Sequence, residues 1–225
     1  KLDDTSLLYY EVYYKQGAGT GSYTQLSTVY PYEGLSYTHT GIDPESKEYC
    51  YKVKGFDSCS AKVSDTSETH CPIQLTATDG NLRSYLSWTS YEGYAVSDYI
   101  IQRKRSAGWN TLDTVSSMDT SFTDSSSLRC NRTYDYRIKG LKQGDTLTTF
   151  SQVDPATPFD TNAPPKVNIR NATVQNSDSI RLSWDTVKDV DVHQYEVHAR
   201  AGSGSFSKIA TVPEKAQAQL SYTHK

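Results

Sequence analysis

The chain has 225 residues, of which 36% are hydrophobic and 22% are charged, and its formal net charge is -3. It contains no run of about 18 apolar residues, which a membrane-spanning helix requires, and no cluster of Lys and Arg that would neutralise the phosphates of nucleic acid. We therefore expect neither membrane insertion nor nucleic-acid binding. The 18 Tyr residues, the many Thr, Ser and Val residues and the single Met favour half-buried strands, so the composition predicts an all-β protein.

Three similar segments recur along the chain and begin at Tyr10, Tyr99 and Tyr195. Each is followed by a loop that contains Gly, by an aromatic residue and by a Thr-Val pair. Each copy then reaches a Ser-aromatic-Thr triplet, at residues 36–38, 121–123 and 221–223. Because the same order is kept three times, the sequence predicts a repeated β unit. The loops that contain Gly lie between strands, so we interpret them as hairpin turns and not as phosphate-binding loops.

Only the middle copy carries a full set of strand motifs. A Leu-Ser-Trp strand ending at Trp88 or Trp184 precedes the second and third copies, but none precedes the first. An alternating Tyr-rich strand follows the first and second copies, at residues 49–53 and 134–138, but not the third. Such alternation places every second side chain on one face, as a half-buried strand requires. One complete unit is therefore predicted between two partial units.

These motifs resemble the fibronectin type III family, whose pattern is an L-x-W strand B, a Y-x-V-x-R/K strand C and a strand F that opens with the tyrosine of the tyrosine corner. The resemblance implies an all-β fold of tandem fibronectin type III-like (immunoglobulin-like) β-sandwiches, the first and last incomplete. Residues 1–71 would hold strands C to G, residues 72–158 a complete unit, and residues 159–225 strands A to E. The predicted structural core comprises Trp88, Tyr99, Tyr136 and the corner residue Tyr134 in the middle unit, Trp184 and Tyr195 in the third, and Tyr10 and Tyr49 in the first.

The partial units have consequences for the whole chain. An incomplete sandwich leaves an apolar face and strand edges uncovered, so we expect neither partial unit to be stable alone. We expect the sequence to be an excerpt of a longer array, with a swapped or permuted arrangement as the alternative. Only residues 69–72 connect the first two units, which is too short for free rotation. A fixed mutual orientation of these two units is therefore predicted.

The four cysteines, at positions 50, 59, 71 and 130, are spaced too widely for a zinc ribbon and suit an oxidising compartment. Cys50 begins the predicted strand F and Cys71 ends strand G, so both lie at the same end of the first unit and form the predicted disulfide. Cys59 and Cys130 lie at opposite poles of their units and are not expected to bond to each other. Two alternatives stay open for this second pair: bonds to cysteines of neighbouring units, or free thiols.

The sequence offers no motif for a catalytic or metal site. It has neither the H-E-x-x-H pattern of zinc proteases nor the G-x-S-x-G turn of serine hydrolases, and its five histidines occupy different places in the repeat. We therefore predict a protein that is not an enzyme and that requires no metal and no cofactor.

A second and narrower resemblance bears on function. Residues 49–51, 57–59 and 88–93, together with Cys71, look like the repeats of large surface proteins of Bacteroidota that are associated with gliding motility and the type 9 secretion system. This resemblance implies a non-catalytic scaffold or spacer of an exported, outer-membrane-associated surface protein that serves adhesion, gliding motility or type 9 secretion. Its partners would be other domains of the same chain, and protein or glycan ligands at the cell surface.

Two other functions stay open. The units would be accessory modules of a secreted polysaccharide-degrading enzyme if the same natural chain carried a catalytic domain. Alternatively, the chain would be a ligand-binding receptor ectodomain that uses outward tyrosines such as Tyr9 and Tyr13. Because one fold can host many functions, the fold alone does not decide among these alternatives.

Overall fold

The computed structural model describes residues 7–17, 21–57, 65–187, 192–214 and 219–224. Within these ranges every regular element is a β-strand except one turn of 3-10 helix at Pro31–Glu33, so the predicted all-β class is confirmed. No helix in this part of the chain has the length and apolarity needed to cross a membrane. The chain divides into two compact units, Lys1–Phe159 and Asp160–Lys225. The finer division into three units stays a prediction.

The first sheet contains three antiparallel strands, β1 (Leu7–Gln16), β2 (Thr24–Val29) and β3 (Tyr49–Asp57), in the order β2-β1-β3. On its outer edge, β3 is bridged by His70, whose backbone exchanges two hydrogen bonds with Tyr51, at 2.9 and 3.0 Å. The chain therefore runs back along β3 before it enters the next sheet.

The triplet at residues 36–38, which recurs in all three copies, is irregular in the structure. In the two other copies the equivalent triplet is a strand, and it pairs with the strand that ends in or near the tryptophan. No strand among the described residues of the first copy offers that partner. A strand without a partner cannot satisfy its backbone hydrogen bonds, which explains the difference.

Residues 75–156 form a complete sandwich of two packed sheets. Its strands are β4 (Leu75–Gly80), β5 (Arg83–Trp88), β6 (Val96–Arg105), β7 (Gly108–Ser116), β8 (Ser121–Asp124), β9 (Tyr134–Lys142), β10 (Thr148–Phe150) and β11 (Asp154–Ala156). One sheet has the order β4-β5-β8 and the other the order β10-β9-β6-β7, with β11 also paired to β9. These orders correspond to the A-B-E and G-F-C-C′ sheets of a fibronectin type III-like sandwich.

The core of this sandwich follows from the alternation of its strands. On β5 the side chains of Leu86 and Trp88 point inward, and on β9 those of Tyr136 and Ile138 do the same. The Trp88 ring meets the Tyr99 ring edge-on, with centroids 5.8 Å apart and an interplanar angle of 73°. Each large side chain buried in this way contributes about 1.5–3 kcal/mol to folding, so these alternating positions hold the two sheets together.

The second compact unit has five described strands: β12 (Ile169–Asn176), β13 (Ser179–Asp185), β14 (Gln194–Ala199), β15 (Ser207–Pro213) and β16 (Gln219–His224). Strands β12, β13 and β16 form one sheet with β13 in the middle, and β14 pairs with β15 in the other. Trp184 packs against Tyr195 with ring centroids 5.9 Å apart, and Val197 extends this core. The pairing repeats the contact between Trp88 and Tyr99, as the repeated sequence motifs require.

Candidate interaction surfaces

The residues predicted as structural core lie at several depths. Two of them, Tyr10 and Tyr134, are half-buried. The others are buried: Trp88, Tyr99, Tyr136, Trp184, Tyr195 and Tyr49. The Tyr134 hydroxyl accepts a hydrogen bond from the backbone N–H of Arg129 at 3.0 Å. A tyrosine hydroxyl bonded to backbone a few residues upstream is the contact that defines a tyrosine corner, so Tyr134 lies at the surface end of the core.

Two core tyrosines also fix the loop that follows each tryptophan strand. The Tyr99 hydroxyl accepts a hydrogen bond from the N–H of Tyr91 at 2.9 Å, and the Tyr195 hydroxyl accepts one from the N–H of Val187 at 2.9 Å. Burial raises the pKa of the Tyr195 hydroxyl, which keeps it neutral. The same side chain therefore fills the core and satisfies a loop amide in both compact units.

A buried polar cluster, which no sequence motif predicted, lies at one end of the complete sandwich. Arg103 donates a hydrogen bond to Asp124 at 2.5 Å, and the Tyr136 hydroxyl lies 2.9 Å from the same carboxylate and 3.0 Å from the Ser84 hydroxyl. Burial raises the pKa of Tyr136 well above its usual range. Because the ion pair and Tyr136 are enclosed by the core, the cluster serves the fold and offers no accessible site.

The predicted disulfide between Cys50 and Cys71 is present, with an S–S distance of 2.00 Å. Glu48 lies beside it, and these three residues are the group among the described side chains whose ligand atoms are close enough to hold a metal ion. Both sulfurs are bonded to each other, so neither is a thiolate that could bind one. Cys59 lies outside the described residues, and Cys130 is half-buried in the turn before β9.

The disulfide sits beside the junction between the first sheet and the complete sandwich. The backbone N–H of Cys71 donates a hydrogen bond to the carbonyl oxygen of Glu92 at 2.9 Å. His70 Nδ1 shares a hydrogen bond of 2.5 Å with the Tyr91 hydroxyl, and the Tyr94 ring lies edge-on to the imidazole at 6.0 Å. Burial raises the pKa of Tyr91 to about 12, so this hydroxyl keeps its proton at neutral pH.

Gly93 is required for this close approach. Its φ of +144° is a conformation that side chains disfavour, and a Cβ added there would lie 2.5 Å from His70 Nδ1. The backbone of the sandwich therefore touches the imidazole directly. The sequence shows the short connection at residues 69–72, but it does not show that the loop at residues 91–94 folds onto it.

An open groove of about 630 Å³ covers one face of the first sheet. Its floor holds Tyr10, Val12, Tyr51 and Val53, and residues 35–39 form its wall. By repeat position, the floor residues correspond to Tyr99, Ile101, Tyr136 and Ile138, which are fully buried in the complete sandwich. The groove is therefore the inner face of the sheet, left open where the described residues provide no second sheet.

A second groove, of about 790 Å³, opens beside Trp184, Tyr195 and Val197 in the other compact unit. In the complete sandwich the equivalent of β14 pairs with β9, whereas no described strand pairs with that edge of β14. The groove thus exposes core side chains of the second unit.

The opposite, outer face of the first sheet carries a row of aromatic and cationic side chains, here called the tyrosine–lysine strip. Its members are Tyr32, Tyr30, Tyr9, Phe56, Glu11, Lys54, Tyr13, Lys52 and Tyr23. The Tyr9 and Phe56 rings stack at 4.7 Å, and the Tyr30 ring meets Tyr9 edge-on at 6.1 Å. The strip includes Tyr9 and Tyr13, the outward tyrosines singled out from the sequence.

Known proteins share little sequence with this chain. No protein-family model matches the sequence, and no curated protein matches it. Solved structures that resemble it include the FN1-FN3 domains of chicken CNTN1, with 15% identity over 97% of this chain and 79% of that chain and a TM-score of 0.33. The chicken interferon gamma receptor alpha chain has 16% identity over 68% of this chain and 80% of its own, with a TM-score of 0.31. The fibronectin type III-like fold follows from the strand order of the complete sandwich.

Proposed function

We propose that the chain is a non-catalytic scaffold of tandem β-sandwich units in an exported cell-surface protein. The proposal rests on the junction between the first sheet and the complete sandwich. There the amide of Cys71, the imidazole of His70 and the backbone at Gly93 join the two parts without an intervening flexible segment. A spacer needs such a junction, because a fixed orientation lets one unit position the next.

The disulfide between Cys50 and Cys71 supports the location outside the cell. Structural disulfides persist in oxidising compartments and are rare in the cytosol of most organisms. Since this disulfide lies next to the junction, its formation on export also stiffens the place where the two parts meet.

The rigidity of the junction is tested by residual dipolar couplings of the backbone amides. If the junction is fixed, one alignment tensor fits the amides of β1–β3 and of β4–β11 together. Gly93→Ala places a methyl group against His70, so its two parts should require separate tensors. Gly144→Ala is the matched control, because Gly144 also has a positive φ, of +72°, but has open space around it. Separate tensors in the unmodified chain would refute the fixed orientation.

The proposal also includes the role that the scaffold serves at the cell surface. The resemblance to Bacteroidota surface repeats favours adhesion, gliding motility or type 9 secretion. We expect the native protein to be accessible to antibody on intact cells and to be lost from the surface when the secretion system is deleted. Retention in the cytoplasm of unmodified cells would contradict export, and surface delivery in the deletion strain would contradict only the secretion route.

Ligand binding by a receptor ectodomain is the second candidate function, and the tyrosine–lysine strip favours it. Tyr32 is 82% exposed and stacks on Tyr30, which contacts Tyr9, so the strip presents a contiguous aromatic patch of the kind that marks interaction sites. An array of immobilised glycans and surface proteins tests this function. Binding that disappears in Tyr32→Ala supports it, whereas equal binding by the variant contradicts a role of the strip. The accessory-module function would be favoured by a catalytic domain on the natural chain.

A further inference from the structure

The tyrosine–lysine strip is ordered by the register of the sheet. Tyr9 pairs with Phe56, Glu11 with Lys54, and Tyr13 with Lys52, so these side chains alternate with the groove residues and point to the other face. Residues two apart on a strand are about 7 Å apart. The rings at one end and the lysines further along therefore form a continuous surface on one side of the sheet.

The aromatic end of the strip presents ring surface to solvent. Tyr30 and Tyr32 stack with centroids 5.4 Å apart, and Tyr30 then contacts Tyr9. Pro31 lies between the two tyrosines and begins a 3-10 turn, where its ring fixes one backbone torsion. Rigid aromatic rings bind apolar ligand faces at a small cost in conformational entropy, so this end suits a flat, partly apolar ligand.

The other end of the strip is cationic. Lys54 Nζ lies 5.2 Å from the Tyr13 ring centroid, and Lys52 Nζ lies 4.8 Å from that of Tyr23. Neither lysine takes part in the ion pairs formed among the described residues. Glu11, the carboxylate between them, accepts a hydrogen bond from the Tyr13 hydroxyl. Lys15 Nζ lies 5.4 Å from the Tyr23 ring, so three lysine side chains lie against aromatic rings on this face of the sheet.

A cation beside an aromatic ring recurs in the other two copies, at the repeat position of Lys52 in the second and of Lys15 in the third. Arg137 lies 4.2 Å from the Trp109 ring, and Arg200 lies 4.9 Å from the Phe206 ring. Trp109 and Phe206 follow their Gly-containing loops as Tyr23 follows the first. Each copy therefore pairs an outer aromatic ring with a cation. Repeated sites of one chemistry suit a polymer whose own chemistry repeats, because several weak contacts then combine into a stronger one.

We propose that the tyrosine–lysine strip binds an acidic polysaccharide. The apolar C–H faces of the sugar rings pack on Tyr32 and Tyr30, and carboxylates along the polymer lie near Lys54 and Lys52. The ring surfaces favour a sugar polymer over an acidic polypeptide. Lys52 and Lys54, which form no ion pair among the described residues, favour an acidic polymer over a neutral one. The proposal rests on the second candidate function, ligand binding, and adds the class of ligand.

Isothermal titration calorimetry of the 225-residue chain with polygalacturonate tests it. The Lys52→Gln, Lys54→Gln double variant should bind about tenfold more weakly, and its affinity should depend less on salt. Tyr32→Ala should weaken binding by about fivefold to tenfold. Because Tyr32 is 82% exposed, this variant keeps the fold, and an unchanged melting temperature verifies that.

Matched controls come from other surfaces of the chain. Lys47→Gln removes an exposed cation, and Tyr85→Ala removes a tyrosine that is 45% exposed. Both should bind polygalacturonate as the unmodified chain does. Weakening equal to that of the strip variants would mean nonspecific attraction and would overturn the proposal.

Two further ligands, dextran and polyglutamate, test whether the strip requires an acidic polymer and whether that polymer is a polysaccharide. Neutral dextran should not bind, and polyglutamate should bind more weakly than polygalacturonate and be insensitive to Tyr32→Ala. Equal binding of dextran would leave ligand binding intact but overturn the acidic specificity. Equal binding of polyglutamate would identify an acidic polypeptide as the partner. No binding of polygalacturonate would overturn this inference, while the glycan and protein array separately decides whether the chain binds any ligand.

Discussion

Arg103 and Asp124 form an ion pair at 2.5 Å inside the complete sandwich, with side chains that are 3% and 1% exposed. Asp124 also accepts hydrogen bonds from the backbone N–H of Ser126 at 2.9 Å and lies within reach of the Tyr136 hydroxyl. Both charges have lost their hydration, so each depends on the other and on these hydrogen bonds. This dependence makes the pair sensitive to the loss of either member.

Asp124→Asn should lower the free energy of unfolding of the complete sandwich by about 3–5 kcal/mol, because Arg103 keeps a buried and uncompensated charge. The exposed pair of Arg170 and Asp185, whose side chains are 53% and 41% exposed, is the control, and Arg170→Met should cost less than about 1 kcal/mol. Urea titration followed by amide signals of each compact unit measures both. Similar costs for the two variants would contradict the role assigned to burial.

Removal of a single core hydroxyl tests the contact that recurs in both compact units. Tyr99→Phe and Tyr195→Phe should each cost about 1–3 kcal/mol, because the amides of Tyr91 and Val187 lose their acceptors. The measurement is the same urea titration, with faster hydrogen exchange at the two amides as a second readout. An unchanged exchange rate at the Tyr91 amide would show that another acceptor satisfies it.

The repeat frame and the disulfide could be predicted from the sequence because both depend on local order along the chain. Alternating apolar residues define strands such as β5 and β9, and two cysteines at one end of adjacent antiparallel strands meet each other. Tyr99 and Tyr195 occupy the same position of the repeat, so the same motif predicted both as core residues. These features needed no knowledge of distant contacts.

The buried ion pair and the side-chain contacts at the junction could not be predicted in this way. Arg103 occupies a repeat position that holds Tyr14 in the first copy and Ala199 in the third. Comparison of the copies therefore gives no indication that a charged residue is buried there. The contact of His70 with Tyr91 joins residues from two sheets and depends on the conformation of Gly93. Residues 36–38 form no strand although their triplet is repeated, because a repeat motif does not supply a pairing partner.

Alkaline pH should weaken the junction through Tyr91. In the unfolded chain this hydroxyl ionises near pH 10, whereas burial raises its pKa to about 12 in the folded protein. The stabilising effect is complete below pH 10 and is lost as the pH rises from 10 to about 12, because the unfolded state loses its proton first. Urea midpoints across this range should fall less steeply in Tyr91→Phe, with Tyr85→Phe as control. Parallel curves for the chain and Tyr91→Phe would exclude this contribution.

Loss of the disulfide should destabilise the first sheet. The bond joins residues separated by 21 positions, and closing a loop of that length is worth about 3 kcal/mol in the chain-entropy model. The Cys50→Ala, Cys71→Ala variant should therefore unfold at lower urea concentration than the oxidised chain. Dithiothreitol should lower the midpoint of the unmodified chain and leave that of the double variant unchanged. A further decrease in the variant would show that a different disulfide contributes.

The open groove of the first sheet is tested by comparing equivalent residues of two copies. Val53 is 37% exposed in the groove, whereas Ile138, at the same position of the repeat, is 0% exposed. Ile138→Ala should cost about 2–5 kcal/mol, because it leaves a cavity between two packed sheets. Val53→Ala should cost less than about 1 kcal/mol, since its side chain already contacts water. Urea titration of the 225-residue chain measures both values. A cost for Val53→Ala close to that of Ile138→Ala would mean that another part of the protein covers the groove in solution, and the inner face of the first sheet would then be a buried interface.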